Sequence, residues 1–328
     1  MTEQLENAKP VLEVRNLTTG FQTDVGWVTA VDDVSLMIEQ GRTLGLVGES
    51  GCGKSVTGYS LMRLIAPPGR ISGGEVLLEG EDLLKLTERQ MRQRRGGRIA
   101  MVFQEPMTSL DPLYMVKDPL LETLAIHSGL RGAPAHKEAQ KLLEQVAIPG
   151  AATRLTNYPH QFSGGMRQRI LIATALAGRP RVLIADEPTT ALDVTVQAQI
   201  LALLRALQAE TGTAILLITH NLGIVAENCH HVAVMYAGRI VERASVKSLF
   251  QKPSHPYTRG LLAAIPGPQT TPRTLLPAIP GTVPSLHNLP SGCRFRNRCS
   301  MAADQCAKET PVLREVRPGH FAACHFAD

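Results

Sequence analysis

Long hydrophobic runs are missing from this sequence. Its most apolar stretch, residues 214–218, has the length of a single buried strand, well short of the roughly 18 uninterrupted apolar residues that a membrane-spanning helix needs. We therefore expect that the chain does not cross a membrane alone. Residues 1–10 also lack an apolar core and include Glu3, Glu6 and Lys9, which predicts that they are not a secretory signal and that the compartment is cytosolic.

Extremes of composition are absent as well. Hydrophobic residues make up 44% of the 328 residues and charged residues 19%, an ordinary balance that argues against wholesale disorder. The net charge of +5 is a mild basic excess, which suits anionic ligands, lipid headgroups or nucleic acid without choosing between them. At about 150 residues per domain, the length predicts two domains.

Strand and helix patterns alternate along most of the chain. Strands are predicted at 11–17, 31–38, 43–47, 75–78 and 98–103, with a helix at 54–65. Leucines at helical spacing predict a helical insert from residue 106 to about 157, and a second series of strands and helices occupies 182–236. This alternation predicts a largely parallel sheet covered by helices.

A glycine-rich loop lies between a predicted strand and the helix predicted at 54–65. It reads Gly48-Glu49-Ser50-Gly51-Cys52-Gly53-Lys54-Ser55. The glycines let backbone amides close around phosphate oxygens, Lys54 places a cation at the outer phosphates, and Ser55 offers a hydroxyl ligand to Mg²⁺. This is a Walker A loop. Cys52 lies where a helix N-terminus could favour a thiolate, but it more simply fills a variable position of the loop.

Two carboxylates follow a second apolar strand. Residues 181–187 read Arg-Val-Leu-Ile-Ala-Asp-Glu, so Asp186 and Glu187 lie at the carboxyl end of the strand, where open parallel sheets bind ligands. Asp186 can hold Mg²⁺ through its shell, and Glu187 can orient or deprotonate the attacking water. A helix cap is the alternative for such a pair, but the Walker A loop favours the catalytic interpretation.

The motif that separates this chain from other phosphate-loop NTPases is Phe162-Ser163-Gly164-Gly165-Met166-Arg167-Gln168-Arg169. It resembles the signature sequence of ATP-binding-cassette (ABC) proteins. Ser163 and the amides of Gly164 and Gly165 open a predicted helix whose N-terminus can receive an anion, with an ordinary serine cap as the alternative. Three other motifs resemble this family: the Q-loop Gln104, the D-loop Ala191-Leu192-Asp193, and the switch histidine in Thr219-His220. All of these motifs follow one another in the order of the family, and the resemblance covers residues 11–250.

The resemblance to ABC proteins implies an α/β, P-loop NTPase cassette with a RecA-like core, an antiparallel β subdomain and a helical subdomain at about 106–170. It also implies that two cassettes pair head to tail, so that ATP held by one Walker A loop is completed by Ser163 of the other. Gly164, Gly165 and Asp193 would belong to the same shared nucleotide site. Hydrolysis would then require a partner cassette.

The same resemblance assigns further roles. His220 would contact the γ-phosphate, and Gln104 would link Mg²⁺ and the attacking water to the helical insert. Phe21 resembles the aromatic side chain that stacks on adenine, with Trp27 as a nearby competitor. Met166 replaces the glutamine that is commonest at its signature position, but the serine and glycines are intact, so we do not infer an inactive site.

Prolines are frequent after residue 253, where we expect them to break any regular element, and we place the domain boundary there, giving a cassette at 1–253 and an extension at 254–328. Two segments resemble the C-terminal extension of ATPases from dipeptide, oligopeptide and nickel importers. They are the run His255-Pro256-Tyr257-Thr258 and the later run from Gly281 to Pro284. Residues 158–161 and 186–193 are similar to that subfamily. The resemblance implies peptide import, with nickel or another small solute as the alternative cargo.

Such importers imply a set of partners and a location. The expected partners are a second, non-identical ABC ATPase subunit, two transmembrane permease subunits and an extracytoplasmic solute-binding protein. The chain would be peripheral, on the cytoplasmic face of the inner membrane. No nucleic acid is expected.

Four of the six cysteines crowd the end of the sequence, namely Cys293, Cys299, Cys306 and Cys324. Their spacing lacks the paired CxxC of a zinc knuckle, but it supplies the four thiolates of a tetrahedral zinc or an iron–sulfur cluster. In a cytosolic protein such a group predicts metal before disulfide. A [4Fe-4S] cluster is favoured, zinc is the alternative and free thiols come third. His325 is a possible substitute ligand or an ordinary surface residue.

Two other classes of function compete with transport. A soluble ABC ATPase that acts on nucleic acid or ribosomes would suit the basic balance, but such proteins usually fuse two cassettes, and the tail lacks an aromatic-rich basic surface for strand binding. A redox-sensing subunit with vestigial ATPase activity would suit the cysteines. The complete set of catalytic motifs argues against it.

Overall fold

The computed structural model describes residues 10–104, 109–190, 192–266 and 277–328. The segment predicted not to be a signal lies almost wholly outside these ranges. The strands are β1 (Pro10–Thr23), β2 (Gly26–Glu39), β3 (Thr43–Val47), β4 (Gly69–Leu78), β5 (Glu81–Asp82), β6 (Ile99–Val102), β7 (Val182–Asp186), β8 (Ala214–Thr219), β9 (His231–Tyr236), β10 (Arg239–Ser245), β11 (Arg314–Arg317) and β12 (His320–Ala322).

The helices in the same ranges are α1 (Lys54–Leu61), α2 (Glu88–Arg94), α3 (Lys117–His127), α4 (Gly132–Gln145), α5 (Ala151–Arg154), α6 (Gly164–Leu176), α7 (Val194–Thr211), α8 (Leu222–Asn228), α9 (Val246–Gln251), α10 (Pro256–Ala263) and α11 (Asp304–Lys308). Short 3-10 turns occur at Leu83–Lys85, Pro159–Gln161 and Arg296–Arg298. Within the described part of the chain, no helix combines the length and the apolar character needed to cross a bilayer.

The chain divides into two compact units. We call the first, residues 13–37, 43–81 and the described part of 217–328, the P-loop unit. The second, the signature unit, comprises residues 10–12, 38–42 and the described part of 82–216. The Walker A loop thus belongs to one unit and the signature motif to the other.

The P-loop unit is built on a mixed sheet whose strands follow the order β11-β12-β10-β9-β3. All five residues of β3 are buried, and β3 pairs in parallel with β9, with Leu44 opposite His231 and Val47 opposite Val234. A strand covered on both faces must be apolar throughout, which is why residues 43–47 read as a continuous apolar run. The strand therefore delivers the Walker A loop at its carboxyl end.

The signature unit contains the parallel pair β6 and β7, with Ile99 opposite Val182 and Val102 opposite Ala185. The two strands run in the same direction, so the residues that follow them emerge at the same edge. Helix α6 packs against β6, α4 and α7, and α3 packs against α4. Leu120, Leu124 and Leu143 are buried in this helical region, as their spacing predicts. The first residues of the predicted insert, 106–108, lie outside the described ranges.

The extension after residue 253 is more regular than its prolines predict. We expected them to break any regular element, but Pro256 is at the first position of α10, where its missing N–H would have no helical partner in any case. Farther along, β11 and β12 form an antiparallel pair, and β12 continues the sheet beside β10. The rings of Tyr257 and Phe295 are buried in the same apolar cluster as strand residues such as Val234.

Candidate nucleotide-binding and ATPase site

The Walker A loop takes the conformation that its glycines predict. Gly51 and Gly53 have φ angles of 78° and 105°, in the left-handed region that L side chains rarely adopt. At Gly48 the constraint is space, because a Cβ would lie 2.2 Å from the carbonyl oxygen of Met235. Backbone crowding and backbone conformation therefore require glycine at these positions.

Lys54 is the buried cation of this loop. Only 5% of the residue is exposed, and its Nζ donates hydrogen bonds to the carbonyl oxygens of Gly48 at 2.9 Å and Glu49 at 3.0 Å. Cys52 is fully buried, and burial raises the pKa of its thiol. Burial therefore favours the neutral thiol of Cys52 over a thiolate.

Glu187 has an unusual backbone in the signature unit. It follows the fully buried Asp186 at the end of β7, and its φ angle is 43°. A glutamate in the left-handed region is uncommon, and such conformations concentrate at functional sites. The turn is closed by the amide N–H of Thr190, which donates to the Glu187 carbonyl oxygen at 3.1 Å.

The Glu187 carboxylate is positioned by two neighbours. The Gln104 side-chain amide donates to Glu187 Oε2 at 3.2 Å, and the Thr190 hydroxyl donates to the same oxygen at 2.8 Å. The structure thus brings together two predicted catalytic residues that are far apart in sequence. Thr190 received no role from the sequence, although it lies in the run 186–193 that carries the resemblance. The sequence feature that could have identified Thr190 is its position three residues after Glu187.

Ser163 is the N-cap of helix α6. Its Oγ accepts the amide N–H of Met166 at 3.4 Å, and Ser163 and Gly164 are exposed. A Cβ on Gly165 would lie 2.5 Å from a methyl of Val196 on α7, so close packing of the two helices requires glycine there. Ser163 is therefore a helix cap, and the N-terminus of α6 is still exposed to solvent.

Met166 and Asp193 each have a local partner. The Met166 sulfur lies 3.3 Å from Nη1 of Arg154, whose guanidinium also lies over the ring of Phe162. Asp193 is the N-cap of α7, where its Oδ1 accepts the amide N–H of Val196 at 2.9 Å. Ala191 of the predicted D-loop lies outside the described residues.

Three other predicted nucleotide contacts belong to the P-loop unit. His220 is exposed directly after β8. Phe21 packs so closely on Gly69 that a Cβ there would lie 2.5 Å from the ring, whereas Trp27 is 38% exposed and has the Arg70 guanidinium 4.8 Å from its ring centre. The choice between Phe21 and Trp27 as the adenine-stacking residue stays a prediction.

The four C-terminal cysteines do not form a preformed metal site. All are free thiols, and among the residues that the structure describes no group of three or more His, Cys, Asp or Glu side chains is arranged to hold a metal ion. Local contacts engage them instead: the Cys299 sulfur accepts the amide N–H of Met301 at 3.4 Å, and the Cys293 amide donates to the Cys306 carbonyl oxygen at 2.8 Å. His325 lies 3.1 Å from the Glu309 carbonyl oxygen.

These thiols nevertheless share one neighbourhood. Burial raises the pKa of Cys293, Cys299 and Cys324, and the nearby thiols raise it further. For Cys293 the contributing neighbours are the other three cysteines of the group. Four soft sulfur donors in one neighbourhood suit a thiophilic metal or an iron–sulfur cluster, although each protonated thiol would have to lose its proton to bind.

Comparison with known proteins supports the family. The model of the ABC transporter family matches residues 31–190, and that of the oligopeptide/dipeptide transporter C-terminal region matches residues 241–306. A probable peptide ABC transporter ATP-binding protein of Sinorhizobium fredii is 51% identical over 96% of this chain and 94% of its own length. A Brucella abortus relative, whose name assigns it to peptide import ATP-binding proteins, is 50% identical over 99% of this chain and 97% of its own.

Solved structures agree with this assignment. A dimeric ATP-binding cassette in a post-hydrolysis state bound to ADP and Pi aligns with a TM-score of 0.63 and 26% identity, covering 72% of this chain and 98% of the other. A protein of Clostridium perfringens that is part of an ABC transporter complex aligns with the same TM-score and identity over 74% of this chain and 91% of its own. The chain therefore belongs to the ABC transporter ATP-binding proteins that carry the oligopeptide/dipeptide transporter C-terminal region.

Proposed function

We propose that this chain binds and hydrolyses Mg²⁺–ATP to power the import of dipeptides or oligopeptides through a membrane ABC transporter. The observation that carries the hydrolytic part is the Glu187 carboxylate, which the Gln104 amide and the Thr190 hydroxyl position at the end of a buried strand. The peptide cargo rests on relatives that are half identical along nearly the whole chain and are named for peptide transport or import.

The residues suit the chemistry of phosphoryl transfer. Amides of the Walker A loop and Lys54 would bind the phosphates, and the oxygens of Ser55 and Asp186 are the hard donors that Mg²⁺ prefers. Bound Mg²⁺ would neutralise charge that develops on the phosphates. Glu187 would orient the attacking water and accept its proton, while Gln104 positions that carboxylate.

The exposed helix N-terminus at Ser163 supports a shared site. Its amides and hydroxyl would complete the nucleotide site of a second cassette, together with Asp193, and His220 would contact the γ-phosphate of its own nucleotide. The complex would contain two permease subunits and a solute-binding protein. The chain would be a peripheral subunit on the cytoplasmic face of the membrane, with its extension beginning near residue 254.

The test of hydrolysis is Glu187→Gln in the assembled transporter. Loss of the base should abolish turnover, while Mg²⁺–ATP still binds because the Walker A loop is intact. ATPase rate and ATP binding are measured side by side, with Glu138→Gln on α4 as the matched control. Hydrolysis at the parent rate in Glu187→Gln would refute the assignment of the base. If Ni²⁺ and not peptides stimulates the ATPase rate of the parent transporter, the cargo is nickel.

The four thiols support a second proposal, that the extension holds a [4Fe-4S] cluster, with zinc as the alternative metal. The observation that favours it is the grouping of these residues: the Cys293 amide donates to the Cys306 carbonyl oxygen at 2.8 Å, and Cys293 and Cys299 pack against the same apolar cluster. Iron, sulfide and zinc are measured on anaerobically purified protein together with its visible absorption spectrum. A colourless protein that contains zinc would refute the cluster, and one without any metal would refute both.

A further inference from the structure

The extension contacts the Walker A loop at Glu49. We propose that Arg298 and Tyr257 are positioning residues of the ATP site, which set the place of the phosphate-binding loop through Glu49. We call these two contacts the loop brace. This inference rests on the proposed ATPase function and names residues of that site outside the family's nucleotide motifs.

The first contact of the loop brace is a bidentate ion pair. Arg298 donates from Nη1 to Glu49 Oε2 at 2.7 Å and from Nη2 to Glu49 Oε1 at 3.0 Å. Its side chain is only 5% exposed, and its Nε donates to the Pro280 carbonyl oxygen at 2.8 Å. A guanidinium that is itself held by a third hydrogen bond keeps the carboxylate in one place. Bidentate, charge-assisted hydrogen bonds of this kind are stronger than hydrogen bonds between neutral groups.

The second contact involves the backbone of the same residue. The amide N–H of Glu49 donates to the phenolic oxygen of Tyr257 at 2.9 Å. The Tyr257 ring is fully buried and packs against the rings of Tyr236 at 4.7 Å and Phe295 at 5.4 Å. Burial raises the pKa of this phenol, so it stays neutral, and its oxygen is a fixed acceptor for the loop amide.

Glu49 is also bonded to Lys54, the cation of the Walker A loop. Its carbonyl oxygen accepts a hydrogen bond from Lys54 Nζ at 3.0 Å. The amide, side chain and carbonyl of one loop residue are thus bonded to Tyr257, Arg298 and Lys54, respectively. Release of the first two bonds would let residue 49 move, and with it the amides and the ammonium group that receive the phosphates. The brace should therefore tune the affinity for ATP and not the chemical step.

The test compares ATP affinity and turnover in Arg298→Gln, Tyr257→Phe and Glu49→Gln. We expect the KM for ATP of Arg298→Gln and Glu49→Gln to rise about tenfold in the assembled transporter, with kcat within a factor of about two. Tyr257→Phe, which removes one neutral hydrogen bond, should raise it roughly threefold. Arg298→Lys keeps the charge without the fork and should give an intermediate value.

Arg294→Lys is the matched control, because Arg294 lies in the same segment and binds Asp32 and the Ala237 carbonyl oxygen but not the Walker A loop. If Arg298→Gln fails to fold, Glu49→Gln and Tyr257→Phe decide the matter. The double variant Glu49→Gln/Arg298→Gln should be no worse than either single variant, since the two side chains act as one pair.

Binding of Mg²⁺–ATP to the full chain distinguishes a failure of the proposed function from a failure of the brace. If the parent chain binds no Mg²⁺–ATP, the proposed function fails. If the parent binds and the brace variants lose thermal stability but keep the parent KM and dissociation constant, the contacts are only structural and the brace is refuted. A rise in KM in the brace variants and not in Arg294→Lys supports it.

Discussion

At the scale of single residues, the most informative side chain is Glu187. Sequence position identifies it as a base, but the sequence does not determine where its carboxylate points. Two hydrogen bonds to Oε2, from Gln104 and Thr190, reduce that freedom. Since phosphoryl transfer depends on placing the nucleophile in line, the residues that fix this carboxylate should affect turnover more than binding.

Thr190→Val tests this point. The substitution keeps the shape of the side chain and the backbone hydrogen bond to Glu187 but removes the hydroxyl donor. We expect kcat to fall roughly tenfold, equivalent to about 1.4 kcal/mol, with little change in KM. Steady-state ATPase kinetics give both values. Thr174→Val on α6, whose hydroxyl donates to the Ile170 carbonyl oxygen, is the control, and an equal loss in the two variants would contradict the role of Thr190.

At the scale of elements, side-chain caps determine where the functional helices begin. Ser163 caps α6, Asp193 caps α7, and His255 caps α10 through Nδ1, which accepts the amide N–H of Tyr257 at 3.0 Å. The first two caps also lie in the signature motif and the D-loop. The third is different, because its acceptor is a nitrogen that can take up a proton.

The His255 cap should make stability depend on pH. Only 1% of His255 is exposed, and burial, with a smaller effect of Arg259, lowers its pKa from 6.5 to about 3. Between these values the unfolded chain binds a proton that the folded chain does not, so stability rises with pH in this window and is lost as pH falls. At pH 5 the loss should reach about 2 kcal/mol relative to pH 7.

Urea unfolding at pH 7 and pH 5 measures this loss. His255→Asn keeps a capping acceptor that does not titrate, so its stability should change less between the two pH values, even if its absolute stability is lower. His136→Asn on the exposed face of α4 is the matched control for the substitution itself. An unaltered pH dependence in His255→Asn would show that another group is responsible.

At the scale of the whole molecule, the extension is part of the core of the P-loop unit. Strand β12 pairs with β10, and the buried Glu242 accepts hydrogen bonds from the amides of Ser254 and His255 and lies 2.6 Å from Nε2 of His320. Removal of the extension would take away these three partners and the strand that covers the carboxylate.

We therefore expect a chain truncated after residue 253 to aggregate. It would also expose the edge of β10 and the apolar surface that Tyr257 and Phe295 cover. Size-exclusion chromatography and thermal unfolding of the truncated chain test this expectation, beside the full-length Glu242→Ala variant, which should be folded but less stable. A monodisperse truncated chain with the parent melting temperature would show that the cassette does not need the extension.

The sequence predicted the family correctly, because its evidence lies in contiguous runs. A Walker A loop, a signature motif and a strand with two terminal carboxylates each act through local backbone conformation, so a few adjacent residues suffice to recognise them. The apolar stretch at 214–218, which has the length of a single buried strand, lies within β8 for the same reason, since a buried strand must be apolar along its length.

The errors arose where distant residues decide the outcome. Prolines after residue 253 predicted an irregular tail, yet Pro256 is compatible with the start of a helix, and pairing with β10 orders the hairpin β11–β12. The four-cysteine metal site stays a prediction, because spacing along the chain does not fix how thiols converge and no such group is arranged around a metal among the described residues.

By itself, then, the sequence determined which chemistry the chain carries: a phosphate loop with its cation, carboxylates for magnesium and water, and a signature helix. Only the tertiary structure decided what holds that chemistry in place. Glu49 is an unremarkable loop position until Arg298, 249 residues away, closes on its carboxylate. Hydrogen bonds of this kind leave no periodic or local trace in a sequence, because they depend on which surfaces the packed core brings into contact.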